Sequence, residues 1–444
     1  MTLESLLTGL VIAPGALFAA LAFVWLLGWT PGERVIAKLT ATLYTLLTAG
    51  AIWLGYSMGS ASAVVETREA HWFHIGQYHF GLALRSDWLS YPLITLTILL
   101  AGLVGVFSVR YLHRDRGYFR FFLLLHLFTF GALLVVTAAN LDLLLCGWEL
   151  VGVTSVLLIA FFSERREPVR NAVRVFGFYR VADLGLLIAL FVLHAEIGGT
   201  HPTKLAELST SGATLVGLLL LMAAAGKSAQ APFSAWLPRA MEGPTPSSAI
   251  FYGAISVHLG AYLLLRAAPV LEKSPLASVA VAVVGAVTAL LATLVHRAST
   301  DAKTALAFAG MAQLGLIFIE ISLGWYQLAL AHMLGHAVVR TLQFLRAPSM
   351  LHDYHRVHAA AGGHLEPTGE HYHRILPEPV RLWLYRAAVD RGYQDALLDR
   401  LVIGPVQWLA KVCEAFEPGA RGPLAQENQT PSRKPVTFAR RVEG

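Results

Sequence analysis

The chain has 444 residues, of which 56% are hydrophobic and only 14% are charged. A soluble domain carries about a quarter charged residues, and with a mean hydropathy of +0.58 this composition excludes an ordinary soluble protein. The formal net charge of +6 comes from basic residues that cluster between apolar segments, so it does not indicate nucleic acid as a partner.

Apolar runs of near membrane-spanning length recur along most of the chain. Eleven transmembrane helices are predicted, at residues 5–28, 33–57, 88–109, 118–138, 140–162, 172–194, 212–236, 245–266, 275–296, 303–323 and 326–346. The sequence therefore predicts an all-α polytopic membrane protein. We expect residues 1–346 to form the transmembrane domain and residues 347–444 to form a polar tail.

Lysine and arginine concentrate in the odd-numbered connections, for example Arg110, Arg114, Arg116 and Arg120 in the third. The positive-inside rule places these connections in the cytoplasm. The sequence thus predicts a multi-pass protein of the cell inner membrane, in contact with lipid, with its N-terminus outside and its tail inside. The first span lacks a basic start and a small-residue cleavage site, so we expect no removable signal peptide.

The tail is expected to contain two amphipathic helices that meet near Gly404 and Pro405. The second helix is too short to span a bilayer, which favours a membrane-surface or partner-docking role, followed by a disordered end. Six tail histidines lack a nearby cysteine and a matching carboxylate pattern, so a solvated loop is favoured over a metal site. They are His352, His355, His358, His364, His371 and His373.

Ionisable residues lie inside consecutive spans, where a charge costs at least about 2.5 kcal/mol and usually has a function. They are Asp142, Glu149, Arg180, Asp183, Lys227, His258, Lys303, Glu320, His332, His336 and Arg340. The last three are spaced four apart and share one helix face. Because such groups titrate reversibly and shift one another's pKa, this pattern indicates a proton relay.

The seventh span carries Pro232 five residues after Lys227. Proline removes a helical hydrogen bond and clashes with the preceding turn, and broken helices in transporters bind ions near mid-membrane. The sequence predicts a broken seventh helix with Lys227 as a gating cation beside the break.

The segment AGKSAQAPFSAWLPRAMEGPTPSSA, with WELVGVTSVLLIAFF and YRVADLGLLIALF, resembles the proton-conducting antiporter-like subunits over roughly residues 85–350. This family comprises the L-type subunit of respiratory complex I, the large subunit of Mrp sodium/proton antiporters and the DabB-type component of inorganic carbon uptake systems. The resemblance implies roles at matching positions: a Lys–Glu pair at Glu149 and Lys227, an R-V-x-D element at Arg180 and Asp183, a D-x-K at Asp301 and Lys303, and relay histidines at His332 and His336.

The sequence departs from the family at three points. Arg340 replaces a lysine of complex I subunits, and since arginine stays protonated it can hold a field but carries protons poorly. Tyr252 occupies the usual position of a histidine early in the eighth helix, so we expect rerouting through His258. The family has two inverted five-helix repeats, and here we expect the second to be incomplete, with a partner completing the path.

Structural roles remain alternatives for several of these residues. Arg180 and Asp183 suit a fixed intrahelical pair, and Asp301 and Lys303 suit an ordinary helix start. Asp142 and Glu149 could pair only with arginines, Lys227 could extend toward the interface, and the eleventh-helix histidines could be packed polar residues. A haem pair would need histidines on opposing helices, and no cofactor motif is present, so we expect no cofactor and no metal.

The sequence therefore predicts a proton- or sodium-conducting subunit that depends on a partner for its driving force. The DabB-type role is favoured, in which a large soluble zinc-containing, carbonic-anhydrase-like protein would bind on the cytoplasmic side. The alternatives are an L-type pumping subunit of a complex I-like or hydrogenase-type oxidoreductase, and an Mrp-like antiporter subunit.

Overall fold

The computed structural model describes residues 2–61, 64–75, 78–299, 301–360, 376–390 and 392, with isolated positions 400, 405, 408, 409 and 412. The chain forms two units, Met1–Gly392 and Tyr393–Gly444, and the fold and the site lie in the first. His364, His371, His373 and Gly404 lie outside the described residues.

Eleven helices within the described ranges are long and apolar enough to cross a membrane. They are α1 (Leu3–Leu26), α2 (Glu33–Ala61), α3 (Ser90–Tyr111), α4 (Tyr118–Thr137), α5 (Leu141–Ile159), α6 (Arg166–Ile197), α7 (Thr210–Lys227), α8 (Thr245–Arg266), α9 (Pro275–Ala298), α10 (Ala302–Ser322) and α11 (Tyr326–Ala360). The predicted all-α polytopic membrane protein is confirmed.

The predicted break in the seventh span is also present, but the helix ends earlier than expected. α7 stops at Lys227, whereas the predicted span ran to residue 236. The Gln230 amide donates to the Ala225 carbonyl at 2.8 Å, and the chain passes Pro232 into a short 3₁₀ turn at Phe233–Ala235. Proline cannot continue the helical hydrogen-bond ladder, which accounts for the early end.

α11 runs beyond the boundary expected at residue 346. It continues without a break to Ala360, so the backbone of His352, His355 and His358 is helical rather than a loop. A further helix, α12 (Glu378–Val389), packs against α9 and exposes Trp383 and Tyr385.

The connection between α2 and α3 contains strands, which the sequence analysis did not predict. β1 (Val65–Glu66) pairs with β4 (Arg85–Ser86), and β2 (Ala70–Ile75) pairs with β3 (Tyr78–Leu82), both antiparallel. Cross-strand rings stabilise the second pair, because Phe73 lies opposite Phe80 with ring centroids 5.3 Å apart. Short alternating strands give a weak signal beside the apolar helices.

α8 is the central helix of the bundle, and its membrane-spanning window is entirely buried. It meets the end of α7 closely, since a Cβ at Gly260 would lie 2.3 Å from the Ser228 hydroxyl and 2.4 Å from the Ala224 carbonyl oxygen. Only glycine permits this approach. The contact brings the end of α7, which carries Lys227, against the turn of α8 that follows His258.

Candidate functional site

Lys227 is enclosed at the end of α7, with 1% of its surface exposed. Its Nζ donates to the Trp148 carbonyl at 3.1 Å and lies 4.6 Å and 4.7 Å from the ring centroids of Trp148 and Tyr179. Within the described residues, no carboxylate oxygen lies within 4.0 Å of this nitrogen. The cation is therefore held by π faces and one carbonyl.

Glu149 pairs with Arg180 rather than with Lys227. The Glu149 carboxylate contacts the Nη2 of Arg180, and the same nitrogen donates to Asp183 at 2.8 Å. Asp183 also accepts from Trp148 Nε1 at 2.6 Å. The Lys–Glu pair implied by the resemblance is thus replaced by an arginine between two acids, and the intrahelical Arg180–Asp183 pair is present as one part of it.

This acid–arginine group opens to the outside of the bundle. A cavity of about 330 Å³ between α5 and α6 is lined by Glu149, Arg180 and Asp183 with apolar neighbours. The side chains of Glu149 and Arg180 are 31% and 37% exposed, and both residues lie near the middle of their helices. Charges at that depth are costly against hydrocarbon.

α8 is irregular where it carries its histidine. A π-helical turn at Ser248–Ala254 is followed by a 3₁₀ turn at Ser256–His258, and such departures from the α-helix frequently occur at functional sites. The irregular turn directs His258 Nδ1 to the Ala254 carbonyl oxygen. Tyr252, within the π turn, donates to the Ser155 carbonyl at 3.5 Å.

His258, His336 and Arg340 form a hydrogen-bonded chain with one consistent direction. Arg340 Nε donates to His336 Nε2 at 3.2 Å, so the proton of a neutral His336 is on Nδ1. That nitrogen lies 2.9 Å from His258 Nε2, which must then accept. His258 keeps its own proton on Nδ1 for the Ala254 carbonyl. The i,i+4 stripe predicted on α11 thus meets α8.

His332 extends this group with a different hydrogen-bond pattern. Its Nδ1 lies 2.8 Å from Glu320 Oε1 and its Nε2 lies 3.0 Å from Gln313 Oε1. Both ring nitrogens thus lie within hydrogen-bond distance of a side-chain oxygen, and one of these oxygens belongs to a carboxylate. The rings of His332 and His336 are 6.3 Å apart, so the two are neighbours without a direct hydrogen bond.

Buried hydroxyl groups lie between the lysine and the histidines. The hydroxyls of Ser155, Tyr179 and Ser256 are enclosed and make no hydrogen bond within the described part of the chain. The Tyr179 hydroxyl interacts with both serine hydroxyls beyond hydrogen-bond distance, while its ring covers Lys227. Ser256 precedes His258 by two residues. Buried polar groups normally have hydrogen-bond partners. These three hydroxyls without partners therefore stand out in the space between Lys227 and the histidines of α8 and α11.

The remaining predicted residues lie apart from this group. Asp142, at the start of α5, contacts His194 at 3.0 Å and the Thr200 hydroxyl. Asp301 caps α10 by accepting from the Thr304 amide at 2.7 Å. Lys303 donates to the Gly243 carbonyl at 3.3 Å. The ordinary helix-start interpretation of Asp301 therefore has direct support.

Sequence reasoning missed the aromatic and amide groups of the site. Trp148 and Tyr179 cover Lys227, and Gln313 positions His332. Trp148 and Tyr179 directly precede Glu149 and Arg180, so adjacency to intramembrane charges was an available signal. No group of three potential metal ligands occurs within the ranges that the structure describes.

Comparison with known families gives two matches. Residues 138–363 match the family described as NADH:quinone oxidoreductase/Mrp antiporter, transmembrane part. Residues 72–122 match the family described as NADH-ubiquinone oxidoreductase (complex I), chain 5 N-terminus. The first match contains every residue that we predicted for the site.

Similar curated proteins are named NADH-ubiquinone oxidoreductase chain 5. The protein of Schizophyllum commune is 38% identical over 60% of this chain and 39% of its own length. The protein of Rhizopus stolonifer is 34% identical over 72% of this chain and 49% of its own length. The chain thus spans less than half the length of either.

Solved structures share the fold. The Mrp complex from Dietzia sp. DQ12-45-1b contains a chain with a TM-score of 0.65 and 27% identity, over 77% of this chain and 37% of that one. The membrane-bound sulfane sulfur reductase, an archaeal respiratory membrane complex, contains one with a TM-score of 0.66 and 18% identity, over 76% and 70%. The second likeness concerns the fold alone.

Proposed function

The chain belongs to the NADH:quinone oxidoreductase/Mrp antiporter transmembrane family, and from that premise we propose that it conducts protons across a cell membrane as one subunit of a larger complex. The observation that carries the proposal is the directed hydrogen-bond chain from Arg340 through His336 to His258. Neutral imidazoles joined in this way pass a proton by exchanging donor and acceptor nitrogens.

The proton route that we propose has three parts. Protons move along His332, His336 and His258, cross the hydroxyls of Ser256, Tyr179 and Ser155 with the help of water, and reach the Lys227 chamber. Buried polar groups without protein partners are the usual sites of internal water. Arg340 stays charged and holds the field at one end.

Lys227 acts in this proposal as the gate. Its ammonium group has no carboxylate oxygen within 4.0 Å among the described residues, while Glu149 and Asp183 act on it from a longer distance, so its protonation depends on changes in the surrounding field. Glu149 is the adjustable part of that field: when Arg180 releases it, the free carboxylate favours a charged Lys227. When Arg180 returns, the lysine gives up its proton toward the hydroxyl group.

The opening beside Glu149 and Arg180 supports a protein partner within the membrane. Two half-exposed charges at mid-helix would be costly against lipid tails, whereas a neighbouring helix with polar groups would cover them. The sequence contains no cofactor motif, so the energy for gating has to come from another subunit. A partner at this surface would supply it by moving Arg180 and thereby changing the charge on Lys227.

The kind of complex is the finer part of the proposal. The names of the similar proteins favour an L-type subunit of a complex I-like oxidoreductase or an Mrp-like subunit. The DabB-type role in inorganic carbon uptake, with a zinc-containing carbonic-anhydrase-like partner, is a prediction from the sequence alone. Isolation of the tagged chain from its native membrane distinguishes them: flavin and iron–sulfur subunits, small antiporter subunits or a zinc protein would co-purify.

Proton conduction is tested in membrane vesicles that contain the assembled complex and a pH-sensitive dye. We expect Lys227→Ala to abolish dye response while the co-purifying subunits remain bound. The matched control is Lys204→Ala, at an exposed lysine outside the bundle. A Lys227→Ala complex that acidifies vesicles at the normal rate would refute the gate.

A further inference from the structure

A long groove runs along the outer surface between α2 and α3, two helices that carry no residue of the proposed proton route. It encloses about 760 Å³ and is lined from Lys38 to Ile52 on α2 and from Leu99 to Arg110 on α3. At 1.5 Å per residue the α2 side is about 21 Å long. Ligand pockets in proteins are typically 300–1,000 Å³ in volume, so the groove can hold a molecule rather than a single atom group.

Small residues and close helix packing form the floor of the groove. A Cβ at Gly102 would lie 3.1 Å from the Cβ of Tyr44, and one at Gly105 would lie 3.2 Å from the Cγ2 of Thr40. Larger residues at these glycines would push the helices apart. The result is a narrow apolar channel parallel to the helices, with a shape that suits one hydrocarbon chain.

Both cations of the groove lie at the same end. Lys38 is near the start of α2 and Arg110 is near the end of α3, and both side chains are exposed. Within the described residues neither forms an ion pair. The nearby acid, Glu33, is taken by His113 at 2.7 Å and by the Arg114 amide at 2.9 Å. The groove therefore ends in uncompensated positive charge.

Two hydroxyls within the groove are free, and at 1.5 Å per residue they lie about 10 Å and 15 Å along α2 from Lys38. The hydroxyls of Thr45 and Thr48 line the groove and have no hydrogen-bond partner in the chain as far as it is described. The hydroxyls of Thr40 and Tyr44 are already used, by His126 at 3.2 Å and by Thr129 at 2.7 Å. The free hydroxyls therefore lie along the groove and not at its charged end.

We propose that this groove binds an anionic phospholipid, with its phosphate on Lys38 and Arg110 and one acyl chain along the floor. Two cations stand at one end of a mainly apolar groove that is long enough for an acyl chain, and this arrangement matches a phosphate followed by hydrocarbon. Basic pockets between transmembrane helices are known to take such headgroups. The inference is independent of the proton route.

Native mass spectrometry of the full chain, delipidated in detergent and titrated with dioleoyl phosphatidylglycerol, tests the proposal. The wild type should bind this lipid more tightly than dioleoyl phosphatidylcholine. Since a lysine or arginine near the membrane surface contributes about 1 kcal/mol to anionic lipid binding, Lys38→Ala with Arg110→Ala should weaken phosphatidylglycerol binding about thirtyfold. The control pair is Arg116→Ala with Arg166→Ala, two exposed arginines outside the groove on the same side of the bundle.

A second variant tests the acyl-chain part without changing charge. Ala41 lines the groove and is exposed, so Ala41→Phe fills the channel without entering the core, and it should weaken binding of both lipids. Equal affinity of the wild type for both lipids would overturn the proposal. So would equal losses in the charge pair and the control pair, or an Ala41→Phe chain that loses a protein partner while its lipid binding is unchanged.

Discussion

Two buried basic side chains in this bundle differ in whether an acid is in direct contact with them. Arg266, at the end of α8, is 8% exposed and forms two bonds to Asp87, at 2.6 Å and 3.3 Å. Lys227, at the end of α7, is more deeply buried and has no carboxylate within 4.0 Å among the described residues. Arg266 is in direct contact with its acid, whereas Lys227 interacts with Glu149 and Asp183 only at a longer distance.

The surroundings of Asp87 show what full compensation involves. The carboxylate also accepts from Arg85 at 3.0 Å and from the Leu89 and Ser90 amides at 3.1 Å and 3.0 Å. Burial acts to raise the pKa of Asp87, but the Arg266 guanidinium, together with hydrogen bonds from Ser90 and Arg85, outweighs it and holds that pKa well below its usual range. This group ties the strand-containing connection to α3 and α8, which is a structural task.

The comparison suggests a criterion for function inside a membrane bundle. A structural cation is matched by a fixed acid, because an unmatched one would cost stability. A cation that must gain and lose a proton needs surroundings that favour neither the charged nor the neutral form strongly. A small change in the local electric field can then decide whether it is protonated. The same substitution to methionine at both positions tests this criterion.

The largest effect is expected for Arg266→Met. Removing one partner of a buried pair leaves the other charge uncompensated and typically costs about 3–5 kcal/mol. We expect thermal unfolding of the purified chain at a clearly lower temperature, with part of the loss recovered by adding Asp87→Asn. An unchanged unfolding temperature in the single variant would show that Arg85 and the two amides are sufficient to compensate the charge of Asp87 without Arg266.

Lys227→Met should show the opposite profile. The variant removes a buried charge that has no acid in direct contact among the described residues, so we expect unfolding at the same or a higher temperature. Proton transport in vesicles should fall at least about 100-fold, as for loss of an acid–base group. Lys204→Met serves as the exposed control. Strong destabilisation by Lys227→Met would place this lysine with Arg266 among the structural cations.

His336→Leu should have an intermediate effect. The leucine removes one proton carrier of the route but leaves Lys227 in place. Because water can carry part of the proton flux, we expect transport to fall only about tenfold, a rise in the barrier of about 1.4 kcal/mol. The control is His113→Leu, at a histidine whose side chain is 60% exposed. Equal transport by the two histidine variants would mean that protons bypass the α8–α11 contact.

Much of this architecture could be predicted from the sequence. Hydrophobic length identified all eleven spans, and Pro232 located the break in α7 because proline has a local and invariant effect on a helix. The spacing of His332, His336 and Arg340 predicted a shared face correctly, because helical periodicity is also local.

Contacts between side chains of different helices were harder to predict from the sequence. The acid that pairs with Arg180 is determined by the rotation of α5 relative to α6, and this rotation cannot be inferred from the sequence. The contact between His258 and His336 depends on the π turn in α8, for which no residue pattern is specific. The strands between α2 and α3 are short and half exposed, so their alternation was hidden beside stronger apolar signals.

The smallest effect is expected for Tyr179→Phe, which tests the interval between the two titratable regions. The variant keeps the aromatic ring that covers Lys227 and removes only the hydroxyl between Ser155 and Ser256. Because water can take over part of the hydrogen-bond chain, we expect proton transport to fall only about threefold, with the assembled complex unchanged.

The control is Tyr326→Phe, which removes a hydroxyl that donates to Glu272 at the surface at 3.0 Å and should leave transport unaltered. If Tyr179→Phe matches Lys227→Met in severity, the hydroxyl is an obligatory proton carrier and water does not replace it. If it has no effect at all, protons reach the lysine by another route.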